Sequence, residues 1–317
     1  MSAARDAPLT LPFFSVAMPA YNAEATIARA IESVLAQSYG DWELVVVDDG
    51  STDATSDIVA RYRERDTRVK LVRQDNAGCG AARDTAIRGS EGTYIVRLDA
   101  DDVLLPQYME RMHAFILGSP GYDIYSCNGY HVYPDGSKRL ARLGPWYEEE
   151  RSFKLEEMLF ATHIFTMAVF TRALFDRVGG IRPDVYCEDL DFWLRAFAQG
   201  ATHRYTPQAL AVYEVSDSQM TADFSRVAES RAGIYRDLIA TGLLTSEQER
   251  LANRAIEKVR EDERVYRWRS SVKAGVSRIL GEGAGDAVSR AMHATAGWLR
   301  PPLARLARVL PRRGDSR

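Results

Sequence analysis

Short apolar runs and helical stripes alternate along the first 120 residues. Residues 13–18 form an apolar run that stops at Pro19 and predicts a buried strand. Ile27, Ile31, Val34 and Leu35 then recur at helical spacing. Residues 42–47 (WELVVV) predict a second strand, too apolar to leave one face in water. Residues 52–63 read as a helix, with Ile58, Val59 and Tyr62 on one face. A third strand at residues 69–72, a short helix at 80–88, a fourth strand at 94–98 and a helix at 107–117 follow. Strands alternating with helices imply a parallel sheet with right-handed crossovers. Past Tyr122 the pattern loosens into short strands and turns, with helical spacing at 155–161, 172–178 and 187–199. Beyond Ser225 it is almost wholly helical, and Ser246 with Glu249 has the spacing of a capping box.

In open sheets of this kind, ligands bind beyond the carboxyl ends of the strands. Three such ends are polar here: Pro19, Ala20, Tyr21 and Asn22; Asp48, Asp49, Gly50 and Ser51; Asp99, Ala100, Asp101 and Asp102. The alternation therefore predicts one shared site. Two carboxylates about 4 Å apart repel by about 4 kcal/mol at an effective dielectric of 20. Three in four residues either raise one another's pKa values or recruit a cation, and oxygen ligands suit Mg²⁺ or Mn²⁺. The plainer alternative is a solvated turn that caps the next helix. In the second turn, Gly50 permits positive φ, and Ser51 or Asp53 has the chemistry of a helix cap. An Asp there also suits a hydrogen bond from a base or ribose.

Charge changes the picture more than composition does. The 317 residues carry a net charge of -3, which argues against a nucleic-acid binder. The balance is uneven. Residues 1–224 hold 22 Lys and Arg against 33 Asp and Glu, and residues 225–317 hold 19 against 11. Three widely spaced cysteines, Cys79, Cys127 and Cys187, lack zinc-ligand spacing and favour a reducing compartment. Cys79, at a predicted helix start, is a candidate for a lowered thiol pKa or a small space-filling residue. No apolar run reaches the roughly 18 residues of a membrane span, and residues 1–12 do not read as a signal peptide. A cytoplasmic protein is the expectation.

The stretch SVAMPAYNAEATIARAIESVLAQSYGDWELVVVDDGSTDAT closely resembles the start of family 2 glycosyltransferases. The resemblance continues through Asn76, Ala77 and Gly78, Ala82 and Arg83, and EGTYIVRLDADD, and resumes at CEDLDFWLR, residues 187–195. It spans roughly residues 13–215. It implies the GT-A fold: an α/β, Rossmann-like mixed and mostly parallel sheet flanked by helices, here with a C-terminal helical extension. It also implies an inverting transferase whose donor is a nucleotide-sugar, a uridine diphosphate sugar by expectation, and whose acceptor is a glycan or lipid-linked hydroxyl in cell-surface polysaccharide biosynthesis. Pro19, Tyr21, Asn22 and Glu24 match the nucleotide-contacting loop, Asp49 the acceptor for the base, and Arg83 a residue near the diphosphate or sugar. Asp99, Ala100 and Asp101 match the Asp-x-Asp motif. In it Asp101 ligates Mg²⁺ or Mn²⁺, and Asp99 contacts ribose or supports the metal. Asp189 matches the catalytic base, and Glu188 orients it or contacts donor hydroxyls. Asp191 and Arg195 read as an i,i+4 ion pair.

The chain departs from the family pattern at Asp84, Thr85 and Ala86, where Asn-x-Gly is usual. It departs again at residues 213–217, where Tyr-Arg and a His are usual and Tyr213, Glu214, Val215, Ser216 and Asp217 stand. His163 and His203 are candidate substitutes for the missing cation, although a lone His is more often a satisfied structural residue. The domain expectation is a tail at 1–12, a catalytic domain at 13–224 and a basic helical extension at 225–317. In the last segment Leu299, Leu303, Leu306 and Leu310 form a stripe with Arg alongside, which suits an anionic membrane surface on the cytoplasmic side through residues 298–317, or equally a helix packed on the body or a frayed tail. A second reading is a catalytically silent nucleotide-sugar-binding or scaffold protein of the same fold. A dinucleotide oxidoreductase fails because no strand is followed by GxGxxG.

Overall fold

The computed structural model describes residues 11–280 except 143, 145, 146, 162 and 217–222. The elements run β1 (Phe14–Ala20), α1 (Ile27–Leu35), β2 (Trp42–Asp48), α2 (Thr55–Arg65), β3 (Val69–Arg73), α3 (Cys79–Arg88), β4 (Tyr94–Arg97), β5 (Val103–Leu104) and α4 (Tyr108–Gly118). The second half adds β6 (Ile124–Val132), β7 (Lys138–Leu140), α5 (Leu155–Met158), β8 (Val169–Thr171), α6 (Arg172–Val178), α7 (Glu188–Ala198), β9 (His203–Glu214), α8 (Phe224–Ala240) and α9 (Ser246–Leu280).

Among the described residues the strands form one sheet in the order β3-β2-β1-β4-β8-β6-β9-β5, with β7 on β6. The first four strands are mutually parallel. Side chains on them alternate between two cores, as a pleat of period two requires. Ala17, Val45, Val47 and Ile95 join one core, and Val16, Met18, Leu44, Val46 and Val96 join the other. Because both faces are covered, β2 tolerates four aliphatic residues in a row. Strand order reverses around β1: β2 and β3 lie on one side, β4 on the other. That reversal opens a crevice at the carboxyl ends of β1, β2 and β4. Pro19, which has no N–H, sits beyond Ala17, the last β1 residue paired with β4.

Helix α1 follows the predicted stripe, with Ile27, Ile31 and Val34 buried. Helix α2 starts at Thr55 rather than Thr52, because Asp53 Oδ1 accepts the Thr55 N–H at 3.0 Å. The capping box of α9 is formed by Thr245 and Gln248, not by Ser246 and Glu249. Thr245 Oγ1 accepts from the Gln248 N–H at 3.3 Å, and Gln248 Oε1 accepts from the Thr245 N–H at 3.0 Å. The loosely patterned region holds two long strands rather than only short ones. β6 and β9 pair in parallel from Ile124 and His203 to Val132 and Glu214, with irregularities near Asn128. Gly129 in β6 is required, since a Cβ there would lie 2.2 Å from the Phe165 ring.

Helix α8 and the first half of α9 bury Ala232, Tyr235, Leu238, Ala252 and Ile256 in the same core as Phe192 and Trp193 of α7. No helix among the described residues is long and apolar enough to cross a membrane. The stripe at residues 298–317 lies outside the described residues.

His203 is a core residue at the start of β9. Its Nδ1 accepts from the Phe153 N–H at 3.2 Å, so Nε2 carries the proton toward Ser126 Oγ, 2.8 Å away. Burial, aided by the charges of His163, Arg151 and Arg204, pushes its pKa down to about 3. The unfolded chain therefore binds a proton near pH 6.5 that the folded chain refuses until far lower pH. Stability should fall as pH drops below about 6.5, by about 1.4 kcal/mol per unit. Half-buried His131, also pushed down by burial, adds to the slope. Urea unfolding at pH 7 and pH 5 should show this loss in the native chain and a reduced loss in His203→Gln.

Candidate active site

The polar loops at the strand ends are tied to one another by side chains that sequence reading assigned to a nucleotide. Asn22, at φ 47°, accepts from the Thr52 N–H through Oδ1 at 2.8 Å, while its own N–H donates to Ser51 Oγ at 2.9 Å. Glu24 Oε2 accepts from the Ala54 N–H at 3.0 Å, and the Glu24 N–H donates to Asp53 Oδ2 at 3.0 Å. These reciprocal bonds lock the loop after β1 onto the turn after β2. Tyr21 projects from that locked loop with 52% of its surface exposed. Pro19 lies beneath it, one residue before the end of β1.

Asp49 is buried and clamps the loop before α3. Its Oδ1 accepts from Gln74 Nε2 at 2.7 Å and from the Ala77 N–H at 2.9 Å, and its Oδ2 accepts from the Gly78 N–H at 2.8 Å. Asp48 Oδ1 accepts from the Ser51 N–H at 3.0 Å. Gly50 has φ 78°, and a Cβ there would meet the Asn76 nitrogen at 2.9 Å, so the two loops touch backbone to backbone.

Helix α3 delivers Arg83 into the crevice. Only 1% of its side chain is exposed. Nη2 donates to Asp99 Oδ1 at 2.6 Å, and Nε donates to Glu188 Oε1 at 3.3 Å. One guanidinium thus joins the turn after β4 to the first turn of α7. Burial opposes the charge of Asp99, but Arg83 and Arg97 hold its carboxyl below the usual range. Burial pushes Glu188 up despite Arg83, which pulls it down, with Asp189 adding to the rise. Asp189 is more open, with 37% of its side chain exposed. Its Oδ1 accepts the Leu190 N–H at 2.7 Å. Cys79 lies beside Arg83, but burial pushes its thiol up to about 12, so it is no activated nucleophile.

The acidic turn after β4 is half buried. Ala100 is 8% exposed, Asp102 is fully buried, and Asp101 is intermediate. Asp102 Oδ1 accepts the Glu214 N–H at 3.0 Å, which pins the turn to the end of β9. Burial and the charges of Asp99 and Asp101 push its pKa well up. Its Oδ2 has no hydrogen-bond partner among the described residues. Also among these, no group of three or more His, Cys, Asp or Glu side chains is set to hold a metal. Two carboxylates nevertheless suit Mg²⁺ where phosphate oxygens complete the shell, and Asp99 keeps one oxygen outside the Arg83 bond.

Three further residues belong to this site. Arg97 is buried on β4, with Nη2 3.3 Å from Glu188 Oε1 and Nη1 3.9 Å from Asp189 Oδ2. Its sequence signal is an arginine inside the apolar run YIVRL. Tyr213 on β9 faces the acids: burial, then the charges of Asp102, Asp99, Asp101 and Asp189, push its phenol up. Arg29 on α1 donates to the Asp101 carbonyl at 3.1 Å and pairs with Glu214 at 2.9 Å. It brings a cation beside residue 214, from an element that spacing alone does not connect to it. His163 and His203 do not fill that role, for both are buried around Phe153. Asp191 pairs with Arg195 at 2.8 Å as expected, and Arg195 also caps the carbonyls of Val178 and Gly180.

The model of the family described as Glycosyl transferase family 2 matches residues 15–179. A protein of Bacillus subtilis (strain 168), assigned as the glycosyltransferase EpsE, is 31% identical over 71% of this chain and 81% of its own. TuaG of the same organism, assigned to teichuronic acid biosynthesis, is 29% identical over 72% of this chain and 88% of its own. Among solved structures, S. aureus TarS 1–349 in complex with UDP-GlcNAc aligns with a TM-score of 0.63 at 21% identity, covering 78% of this chain and 71% of that one. The mannosyltransferase PcManGT from Pyrobaculum calidifontis, in complex with GDP-Man and Mn²⁺, aligns with a TM-score of 0.60 at 22% identity, covering 94% of this chain and 84% of that one. The structural likenesses show a shared GT-A fold.

The clamp at Asp49 generates a stability test. Three donors, two of them backbone N–H groups, lose a charged acceptor in Asp49→Ala. Hydrogen bonds to charged groups contribute about 1.5–3 kcal/mol each, with solvent recovering part of the loss. The variant should lose about 2–4 kcal/mol in urea unfolding, and limited proteolysis should cut it faster near residues 74–78.

Proposed function

The chain belongs to glycosyl transferase family 2 and is a glycosyltransferase, and from that premise we propose the finer reading that follows. The enzyme inverts: it moves a sugar from a nucleotide diphosphate donor, a uridine diphosphate sugar, to a hydroxyl of a glycan or lipid-linked acceptor in cell-surface polysaccharide biosynthesis. The teichuronic-acid assignment of TuaG and the UDP-GlcNAc complex of TarS support the acceptor class and the donor. The observation that carries the reading is the Arg83 bridge. It sets the acidic turn at Asp99 and Asp101 against the start of α7, where Asp189 is the more open carboxylate.

In this reading the nucleotide lies over the crevice between the ends of β1 and β2. Tyr21 offers it an exposed ring, while Asn22, Glu24 and Asp49 keep the two loops in register. Asp49 also offers an acceptor edge to the base. Asp189 takes the proton of the acceptor hydroxyl as that oxygen attacks the anomeric carbon from the face opposite the diphosphate. One carboxylate of this kind suffices, where glycoside hydrolases need two. A Mg²⁺ or Mn²⁺ held by Asp101 and Asp99 would supply charge neutralisation of the departing diphosphate. The Mn²⁺ in the PcManGT complex supports that chemistry. Arg29, at the rim beside Asp101, is paired with Glu214 and holds the acidic turn by its carbonyl without adding net charge on the diphosphate side. Glu188, buried between Arg83 and Arg97, orients the first turn of α7.

We assign the catalytic unit to residues 13–224 and a basic extension to 225–317, on a cytoplasmic protein whose residues 298–317 meet an anionic membrane surface. Flotation with anionic liposomes should lose the protein when 298–317 are deleted.

Asp189→Asn should lower turnover by about 10²–10⁴-fold while the affinity for UDP with Mn²⁺ stays within a few-fold. Undiminished turnover would sink the base assignment. Chelation with EDTA should stop turnover, and added Mn²⁺ or Mg²⁺ should restore it. A native chain that binds UDP but turns over no donor or acceptor pair would favour the silent reading.

A further inference from the structure

Arg97 ends β4, two residues before Asp99, in a strand otherwise built for the core. Its side chain is 3% exposed. Among the described residues, the hydrogen bond, ion pairs and ring contact of its guanidinium all run to α7. Nη2 donates to Glu188 Oε1 at 3.3 Å, Nη1 stands 3.9 Å from Asp189 Oδ2, and the group lies 5.8 Å from the Trp193 ring centroid. Among the described residues, Nε and Nη1 have no hydrogen-bond partner. Buried donors are seldom left so. A charge-assisted N–H···O bond spans about 2.7–2.9 Å, so Nη1 stands roughly 1 Å short of one with Asp189.

Arg83 already bridges Asp99 and Glu188, so the join between turn and helix does not require a second guanidinium. Beyond its bond to Glu188 and its charge beside Asp99, Arg97 adds a partner for Asp189. The Asp189 carboxylate has one oxygen held by the Leu190 N–H, and the Arg97 Nη1 lies toward the other. Without that partner the carboxylate turns about its own side-chain bonds, and the proton acceptor loses its direction. A misplacement of about 1 Å at a reacting group costs on the order of 10²-fold in rate.

We infer that Arg97 is a positioning residue, whose Nη1 closes onto Asp189 Oδ2 and aims that carboxylate at the acceptor hydroxyl in the filled site. The inference rests on Asp189 being the base. It predicts an effect on turnover that donor affinity does not share.

The test uses the full chain, with water as the acceptor and UDP release from a mixture of UDP-glucose, UDP-galactose and UDP-GlcNAc as the readout. Calorimetry with UDP and Mn²⁺ measures affinity separately. Arg97→Gln should lower turnover about 100-fold and leave UDP affinity within about threefold. Arg97→Lys restores the charge on a single nitrogen and should recover about tenfold of that loss. The Lys variant carries the same split alone if the Gln variant does not fold. In the double variant Arg97→Gln with Asp189→Asn, turnover should be no lower than in Asp189→Asn, since the two act as one unit. Equal losses of turnover and UDP affinity in both Arg97 variants would overturn the inference, as would turnover within threefold of the native chain. Normal turnover of Arg97→Gln beside an inactive Asp189→Asn removes Arg97 alone. Normal turnover of Asp189→Asn removes the base, and the inference with it.

Discussion

A single buried guanidinium holds the site together. Arg83 lies 16 residues before Asp99 and 105 before Glu188, and bonds both. Its desolvation is costly, and only paired carboxylates with good geometry offset such a cost. Those partners exist because β4 ends and α7 begins at the same edge of the sheet. Arg83 reaches them because α3 starts where Asp49 fixes it. The dependence therefore runs from the Asp49 clamp, through α3, to the two acidic motifs. Gly50 belongs to the same chain of causes, since any side chain there would push the two loops apart.

The parallel half of the fold was legible because its local signals agree. Apolar runs of strand length, helical stripes and polar strand ends all pointed to one sheet with one polar edge, and β2 lies within one residue of its predicted span. The second half was not legible in the same way. β6 and β9 carry Ser126, Asn128, His203 and Thr206, which look like loop residues in isolation. All four are buried. Their burial depends on partners 50 to 77 residues away for Ser126 and His203, and no local window contains that information.

The site divides along the same line. Asp49, Arg83, Asp99, Asp101, Glu188 and Asp189 sit in motifs whose order is readable. Arg97 was hidden by its strand, although a charge inside an apolar run is itself a signal. Arg29 was hidden more deeply, since its link to Glu214 exists only once α1 crosses over the end of β9. The capping box of α9 failed for a simpler reason. Thr245 and Gln248 have the same spacing as Ser246 and Glu249, and the structure uses the pair one residue earlier.

The charges define what so acidic a crevice needs before it can take the anionic donor of the proposed function. Asp99, Glu188 and Asp189 face Arg83 and Arg97, and Asp101 adds a fourth carboxylate in the same turn, an excess of two carboxylates when all are ionised. Arg29 and Glu214 cancel each other at the rim. Alone, this arrangement repels a diphosphate. Under the proposed function a divalent cation reverses that balance, and the donor supplies the oxygens that complete its shell. The two buried arginines then have separate tasks. Arg83 keeps the acidic turn and the helix start together. Arg97 faces Asp189, the carboxylate that the proposed function needs accessible and correctly aimed, and its incomplete pairing leaves room for the contact to tighten.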